Sequence, residues 1–184
     1  MSLHQANVHS TRPQVGVCDV GVSPHTAHVT TVLGDLHGLA GRAWAMALSR
    51  PSEGHDCSLL TLRPDLPVKP LGLLITRATI ESRRHADMTW GAAQAGVAAG
   101  IADAVADGTI GQVTIDDIVA VVTIWVDWAA SDERAVFLNH RKATLQAVHL
   151  GAAGYPEINE VIEARHQPYN ARFDFAALTR PLSE

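Results

Sequence analysis

Three polar side chains occupy strand or helix positions from which they could bind a ligand or move a proton. His28 lies in the run Thr26 to Leu33, where strand alternation places it on one face with Thr30. Arg77 lies near the end of another apolar run, and Gln94 falls inside the apolar stripe of a long predicted helix. Histidine is the most frequent general acid or base, because its ordinary pKa lies near neutral pH. His28 is therefore the leading candidate for proton transfer.

Each of these residues also has a structural interpretation, which the sequence leaves open. His28 could be a hydrogen-bonded structural histidine, Arg77 a surface ion-pair residue and Gln94 a packing amide. Metal binding is not expected, because His25 and His28 are three residues apart and would point to opposite faces of a strand. The two cysteines are also too few for a cysteine zinc site.

The composition is typical of a soluble globular chain. Its 184 residues are 47% hydrophobic and 18% charged, which predicts a single domain with a substantial core. A formal net charge of −5 argues against nucleic-acid binding and against a polybasic membrane surface. No apolar run approaches the roughly 20 residues of a membrane span, and the first residues do not resemble a signal peptide. We therefore expect a cytoplasmic protein without nucleic-acid or membrane partners.

The order of the predicted elements favours an α+β fold, in which helices pack on a mainly antiparallel sheet. Runs rich in β-branched residues predict five strands, at Val15 to Val22, Thr26 to Leu33, Cys57 to Leu62, Leu71 to Ile80 and Ile118 to Val126. Ser23-Pro24 is the turn signal between the first two strands. Four helices are predicted, at Gly38 to Ser49, Arg83 to Asp107, Glu133 to Leu150 and Pro156 to His166. Residues 1–14 are expected to be a flexible N-terminal segment, and residues 15–184 a single domain.

Four stretches of the chain together resemble the formaldehyde-activating enzymes: TAHVTTVLGD, SLLTLRPDLPVKP, WGAAQAGVAAGIADAVADGTI and WVDWAASDE. The resemblance implies an α+β fold like that of the second domain of ribosomal protein S5. It also implies a homopentamer that binds the reduced pterin tetrahydromethanopterin in clefts between neighbouring subunits. The implied reaction is a hydro-lyase type of condensation, in which formaldehyde and the pterin give methylene-tetrahydromethanopterin and water without a metal.

The resemblance also implies roles for individual residues. The family's proton donor, a histidine in an Ala-His step, falls on His28. The family's pterin-contacting positions fall on Thr30, Leu59, Arg77, Thr79 and Gln94. Two of these positions depart from the family pattern, because Arg77 replaces a lysine and Thr30 replaces an acidic residue. An arginine is not equivalent to a lysine at a ligand site, since its planar guanidinium differs in shape and hydrogen bonding from an ammonium.

The loss of the carboxylate at Thr30 leaves several interpretations open. A carboxylate two residues from His28 on one strand face would favour the charged imidazolium, and threonine cannot do so. We therefore expect a weaker proton donor, or a different carboxylate in its place, or a different pterin or substrate. The alternative function is a non-catalytic paralogue that binds a pterin or an aldehyde as a carrier or sensor. His55, just before the third predicted strand, is a weaker candidate for a second acid.

Overall fold

The computed structural model describes residues 12–50, 55–170 and 173–174. The chain divides into two compact units, Met1–Gly154 and Tyr155–Glu184. In the first unit, the described residues form a five-stranded sheet of β1 (Gln14–Val20), β2 (Ala27–Asp35), β3 (Cys57–Leu59), β6 (Leu71–Thr76) and β7 (Ile118–Trp125). The order of these strands across the sheet is β1-β2-β7-β6-β3. Only the pairing of β6 with β7 in this sheet is parallel, so the predicted, mainly antiparallel α+β architecture is confirmed.

The described residues of the first unit contain four α-helical segments, of which the last has a clear signal at each end. Helix α1 spans Leu39–Ser49, and α2 is a short turn over Arg83–Ala86. A π-helical segment over Asp87–Ala93 leads into α3 (Gln94–Ala106), and a 3-10 turn follows at Gln112–Thr114. Helix α4 (Glu133–Ala153) is capped by Asp132, whose side chain accepts a hydrogen bond from the Ala135 N–H. It ends at Gly154, which adopts the left-handed conformation that favours glycine.

The two faces of the sheet differ in how they are covered. On β2, Ala27, Val29, Thr31 and Leu33 are buried, while the alternating residues from His28 onward are half-buried. Helix α4 packs along β1 and β2, and α3 packs against α4. Helix α1 also contacts β2 and β7, and the Cβ of Ala40 lies 3.0 Å from the position that a Cβ at Gly34 would take. The half-buried face is therefore left partly open at its His28 end.

The contact between β1 and α4 depends on one glycine. A Cβ built on Gly16 would lie 1.8 Å from the backbone oxygen of Ala147, which is far closer than any real contact. The clash is with backbone, so no side-chain movement could relieve it. Glycine at this position is what allows α4 to lie directly against the edge strand β1.

Three predicted elements differ in form in the structure: the third strand, the fourth strand and the long helix. The predicted third strand is divided into β3 and β4 (Thr61–Arg63), because Leu60 turns into the core and β4 pairs with β5 (Leu66–Pro67). The predicted fourth strand ends at Thr76, so Thr79 lies beyond the sheet rather than on its face. The predicted long helix contains the π-helical segment.

The described part of the second unit consists of α5 (Ile158–Ala164) and a two-stranded ladder. The strands of this ladder are β8 (Tyr169–Asn170) and β9 (Phe173–Asp174). Helix α5 begins with a reciprocal capping box between Glu157 and Glu160. Residues 1–14 are predicted to be a flexible segment, and residues 1–11 of it lie outside the described residues. Its last residue, Gln14, belongs to β1.

Candidate active site

A row of polar and aromatic side chains crosses the partly open face of the sheet. Asp19 on β1 pairs with His28 on β2, and His28 pairs with Trp125 on β7. Arg77 follows directly after β6, where its backbone N–H donates to the carbonyl oxygen of Ile124 at 2.8 Å. Since paired residues in a sheet point to the same face, this row brings a carboxylate, an imidazole and an indole together.

His28 is held on both sides. The Asp19 Oδ1 lies 2.9 Å from the His28 Nδ1. On the other side, the Trp125 ring meets the imidazole edge-on, with ring centroids 5.3 Å apart. The His28 side chain keeps 25% of its surface exposed, and within the described residues its Nε2 forms no hydrogen bond with protein. An imidazole fixed through Nδ1 with an accessible Nε2 can exchange a proton with a bound molecule.

A second tryptophan connects this row to Thr79. The Trp128 ring meets Trp125 edge-on at a centroid distance of 5.9 Å. Its indole Nε1 donates a hydrogen bond of 3.0 Å to the carbonyl oxygen of Thr79. Thr79 itself is exposed. The two indoles therefore connect His28 to the segment after β6 that carries Arg77 and Thr79.

Two of the predicted binding residues, Leu59 and Gln94, line a cavity at the β3 edge of the sheet. The cavity has a volume of about 300 Å³ and is lined by Cys57, Ser58, Leu59, Thr61, Trp90 and Gln94. The Gln94 Nε2 donates to the backbone oxygen of Thr61 at 3.0 Å. Gln94 follows the π-helical segment directly, and such segments are frequent at functional sites because they shift the phase of a helix. Gln94 is thus directed to a cavity rather than into the core.

The predicted residues form two groups within one chain. Strands β7 and β6 lie between β2, which carries His28, and β3, which carries Leu59. At about 4.8 Å per strand spacing, the two residues are about 14 Å apart across the sheet. Through the pairing register, Leu59 lies level with Val32, which is four residues from His28 and about 13 Å along the strand. The two groups are therefore about 20 Å apart. Thr30 is half-buried, belongs to the His28 group and pairs with Val17 and Thr123.

Three of the other histidines in the described part of the chain are committed to structural contacts: His25, His85 and His140. The His25 Nε2 accepts from the Ser131 and Asp132 backbone N–H groups, at 3.2 and 3.1 Å. His85 and His140 are buried, and their rings contact the carbonyl oxygens of Val126 and Val136. Burial lowers the pKa of His140 to about 4; the Val136 hydrogen bond opposes this shift, and the charge of His28 adds to it. His55 is exposed, outside the residues that line the cavity.

No group of three or more His, Cys, Asp or Glu side chains in ranges 12–50, 55–170 and 173–174 is arranged to hold a metal ion. No helix in those ranges is long and apolar enough to cross a membrane.

Three residues of the row were not identified from the sequence: Asp19, Trp125 and Trp128. The sequence does contain a signal for Asp19. In a hairpin whose turn is centred on Ser23-Pro24, positions 19 and 28 are equally distant from the turn and therefore pair with each other. The His25 N–H donates to the Val22 oxygen at 2.9 Å, as this turn requires. The tryptophans had no comparable signal, since their contacts depend on side-chain packing across strands.

The fold and this row define a mixed α/β protein with an imidazole-carboxylate pair on an accessible sheet face. The family model described as formaldehyde-activating enzyme (Fae) matches residues 15–172. The chain therefore belongs to the formaldehyde-activating enzyme family.

Several proteins with assigned names are similar to this chain. A 5,6,7,8-tetrahydromethanopterin hydro-lyase of Methanosarcina barkeri is 32% identical over 151 residues, which cover 82% of this chain and 85% of the relative. Proteins named bifunctional enzyme Fae/Hps, from Methanosarcina barkeri and Methanosarcina acetivorans, are each 33% identical over 162 residues. Those alignments cover 88% of this chain, which spans 41% of the length of the bifunctional relatives.

Proposed function

We propose that this protein is a hydro-lyase that condenses formaldehyde with tetrahydromethanopterin, giving methylene-tetrahydromethanopterin and water. Family membership and the name of the Methanosarcina barkeri hydro-lyase support the reaction class and the pterin. The structural observation that carries the proposal is the accessible Nε2 of His28, on a ring held by Asp19 and Trp125.

The proposed reaction needs one well-placed acid. One pterin nitrogen attacks the formaldehyde carbon and gives a carbinolamine. The His28 Nε2–H protonates the carbinolamine hydroxyl, the C–O bond breaks and water leaves. The second pterin nitrogen then closes the ring and releases its proton. Hydroxide is a poor leaving group, so a positioned acid accelerates this step by about 10²–10⁴-fold. Holding both nitrogens and the carbon in one cleft adds the benefit of proximity.

The remaining predicted residues would bind the pterin. Gln94 already donates its amide nitrogen to Thr61, so its Oε1 is the atom left to accept from a pterin N–H. Leu59 offers apolar surface in the same cavity. Thr30 on the sheet face and Thr79 in the segment after β6 can hydrogen-bond the ligand, and the Arg77 guanidinium can bind anionic groups.

The separation of these two groups supports a site shared between subunits. One chain leaves about 20 Å between His28 and Leu59, so a cleft between two copies would bring the complementary groups together. Exposed apolar side chains on β1 and α1 also favour assembly; they are Val15, Val17, Leu39 and Met46. We propose a homopentamer, as the resemblance implies. Analytical ultracentrifugation should give the mass of five chains, whereas a monomer at assay concentration would contradict the shared site.

His28→Gln is the decisive variant for the proposed reaction. We expect the catalysed rate to fall by about 10²–10⁴-fold, which approaches the background reaction of formaldehyde with the free pterin. His149→Gln is a matched control, because the Nε2 of His149 also pairs with an aspartate, Asp107, at 2.7 Å but on the α3 and α4 side. The control should keep the full rate. A His28→Gln protein with the wild-type rate would refute the acid role.

The second candidate function is a non-catalytic carrier or sensor that binds a pterin or an aldehyde. It is favoured by the absence of a carboxylate at Thr30 and by the arginine at position 77. Calorimetric titration with the reduced pterin, together with the rate assay, separates the two functions. Tight pterin binding without any rate above background would establish the carrier or sensor.

A further inference from the structure

We propose that Asp19 is a positioning residue for His28, and that it supplies from the neighbouring strand the carboxylate that is missing at Thr30. This inference deepens the proposed function and rests on it. It concerns which nitrogen of His28 carries the proton and which nitrogen faces the substrate.

The geometry fixes the direction of the hydrogen bond. A carboxylate only accepts, so at 2.9 Å the His28 Nδ1 must be the donor to the Asp19 Oδ1. The neutral ring therefore carries its proton on Nδ1 and leaves Nε2 as the nitrogen that is exposed on the sheet face. The Trp125 ring, with its centroid 5.3 Å away, limits rotation of the imidazole on the opposite side.

The strand register explains how one carboxylate can replace another. Asp19 and His28 are direct partners in the antiparallel ladder, so their Cβ atoms lie about 4.5–5.5 Å apart. Position 30 shares the face of His28 along β2, at about twice the rise per residue of a strand. Both positions can therefore reach the same imidazole, one across the strands and one along them.

The pair also suits the proton movement in the proposed reaction. The charged imidazolium holds a proton on each nitrogen, and its Nδ1–H is the one that donates to the Asp19 Oδ1 at 2.9 Å. When Nε2 gives its proton to the departing hydroxyl, Nδ1 keeps its proton and its bond to Asp19. The ring thus ends in the tautomer that the carboxylate already favours, and it does not need to turn between steps.

The first test measures the tautomer and needs no substrate. Nitrogen-15 NMR is recorded about two units above the ordinary pKa of histidine, with His28→Gln used to assign the signals. We expect the Nδ1–H tautomer in the wild-type protein and the Nε2–H tautomer in Asp19→Ala. Asp107→Ala, which removes the partner of His149, is the matched control and should leave the His28 signals unchanged. A His28 tautomer that is unaffected by Asp19→Ala would overturn the inference.

The second test measures the reaction. Asp19→Ala should lower kcat for methylene-pterin formation by about 10–100-fold, part of the roughly 10²–10⁴-fold that a positioned acid supplies. The KM for the pterin should change less than about threefold, since Asp19 holds the histidine and not the ligand. Adding Thr30→Asp to Asp19→Ala should restore at least a third of the lost rate. An unchanged kcat in Asp19→Ala would overturn the proposal, even if the tautomer changed.

The rate measurements distinguish a failure of the proposed function from a failure of the role proposed for Asp19. If the wild-type protein gave no rate above background, the proposed function would fall, and with it the catalytic part of this inference. If the wild-type rate were high but insensitive to Asp19→Ala, only the role of Asp19 would fall. Circular dichroism melting of each variant shows that a lost rate does not come from unfolding.

Discussion

The indole Nε1 of Trp128 donates a hydrogen bond of 3.0 Å to the backbone oxygen of Thr79. This contact joins the loop after β7 to the loop after β6, two segments that leave the sheet at the same end. Because Trp128 also packs against Trp125, the position of the Thr79 segment depends on the same aromatic pair that touches His28.

Replacing Trp128 by phenylalanine tests this connection. Trp128→Phe keeps an aromatic ring but removes the N–H, so the Thr79 carbonyl loses its partner. We expect a loss of about 1 kcal/mol in the free energy of unfolding. We also expect the KM for the pterin to rise several-fold, because the segment with Arg77 and Thr79 is less firmly held. Urea denaturation and initial-rate kinetics measure the two effects.

Trp44→Phe is the matched control. The Trp44 Nε1 is buried without a hydrogen-bond partner in the structure, so its removal breaks no such bond. The KM for the pterin should stay within twofold of the wild-type value. An equal rise of KM in both variants would mean that the loss of indole volume, rather than the bond to Thr79, is responsible.

Gly16→Ala tests the close packing of β1 against α4. The added methyl would overlap the backbone oxygen of Ala147, so either the strand or the helix must move. We expect a destabilisation of about 2–3 kcal/mol. Gly91→Ala is the control, since a Cβ there meets nothing within 4 Å. That change should be neutral or stabilise the helix by up to about 1 kcal/mol. Equal melting temperatures for the two variants would contradict this account.

The buried His140 predicts a loss of stability in mild acid. Its pKa is about 4 in the folded protein and near the ordinary value of 6.5 in the unfolded chain. Below the unfolded pKa, the unfolded chain binds the extra proton, so stability decreases as the pH falls from about 6.5 towards 4. The decrease amounts to about 3 kcal/mol at about 1.4 kcal/mol per pKa unit. Urea titration across this pH range measures the free energy of unfolding. In His140→Gln, this free energy should no longer decrease in the same way as the pH falls. A variant with the wild-type slope would assign the effect to other groups.

Arg77→Lys tests the departure from the family pattern at that position. The lysine keeps the charge but loses the planar set of donors. We expect the KM for the pterin to rise by about three- to tenfold, equivalent to roughly 0.7–1.4 kcal/mol of ligand binding. The value of kcat should stay within twofold, because the role proposed for Arg77 is to hold the ligand and not the reacting carbon. Steady-state kinetics with varied pterin concentration measures this KM. A KM at or below the wild-type value would show that the guanidinium does not contribute to pterin binding.

The central strands of the fold were predictable because their residue patterns are decisive. Alternation on β2 assigned His28 and Thr30 to one face, and the structure confirms that face. The mainly antiparallel sheet followed from short strands separated by turns. The predicted third strand is interrupted at Leu60, whose carbonyl oxygen accepts a hydrogen bond from the Val68 N–H and whose side chain enters the core. That change of direction comes from a tertiary contact and has no local signal.

The site was only partly predictable for a similar reason. The sequence places Gln94 in an apolar stripe, a position that is compatible with a packing amide or with ligand binding. Its actual direction depends on the π-helical segment and on the bond to Thr61, which lies far away in sequence. An alanine- and glycine-rich helix carries no residue pattern that distinguishes a π turn from an α turn. The roles of the predicted binding residues stay predictions.

The indole beside His28 gives the protein an optical reporter of its own chemistry. A charged imidazolium quenches the fluorescence of an adjacent excited indole, whereas a neutral imidazole does so much less. With ring centroids 5.3 Å apart, Trp125 is close enough to sense that difference. Emission recorded against pH, with Trp125→Phe as the blank, would therefore follow the charge on His28 in solution, without label or ligand.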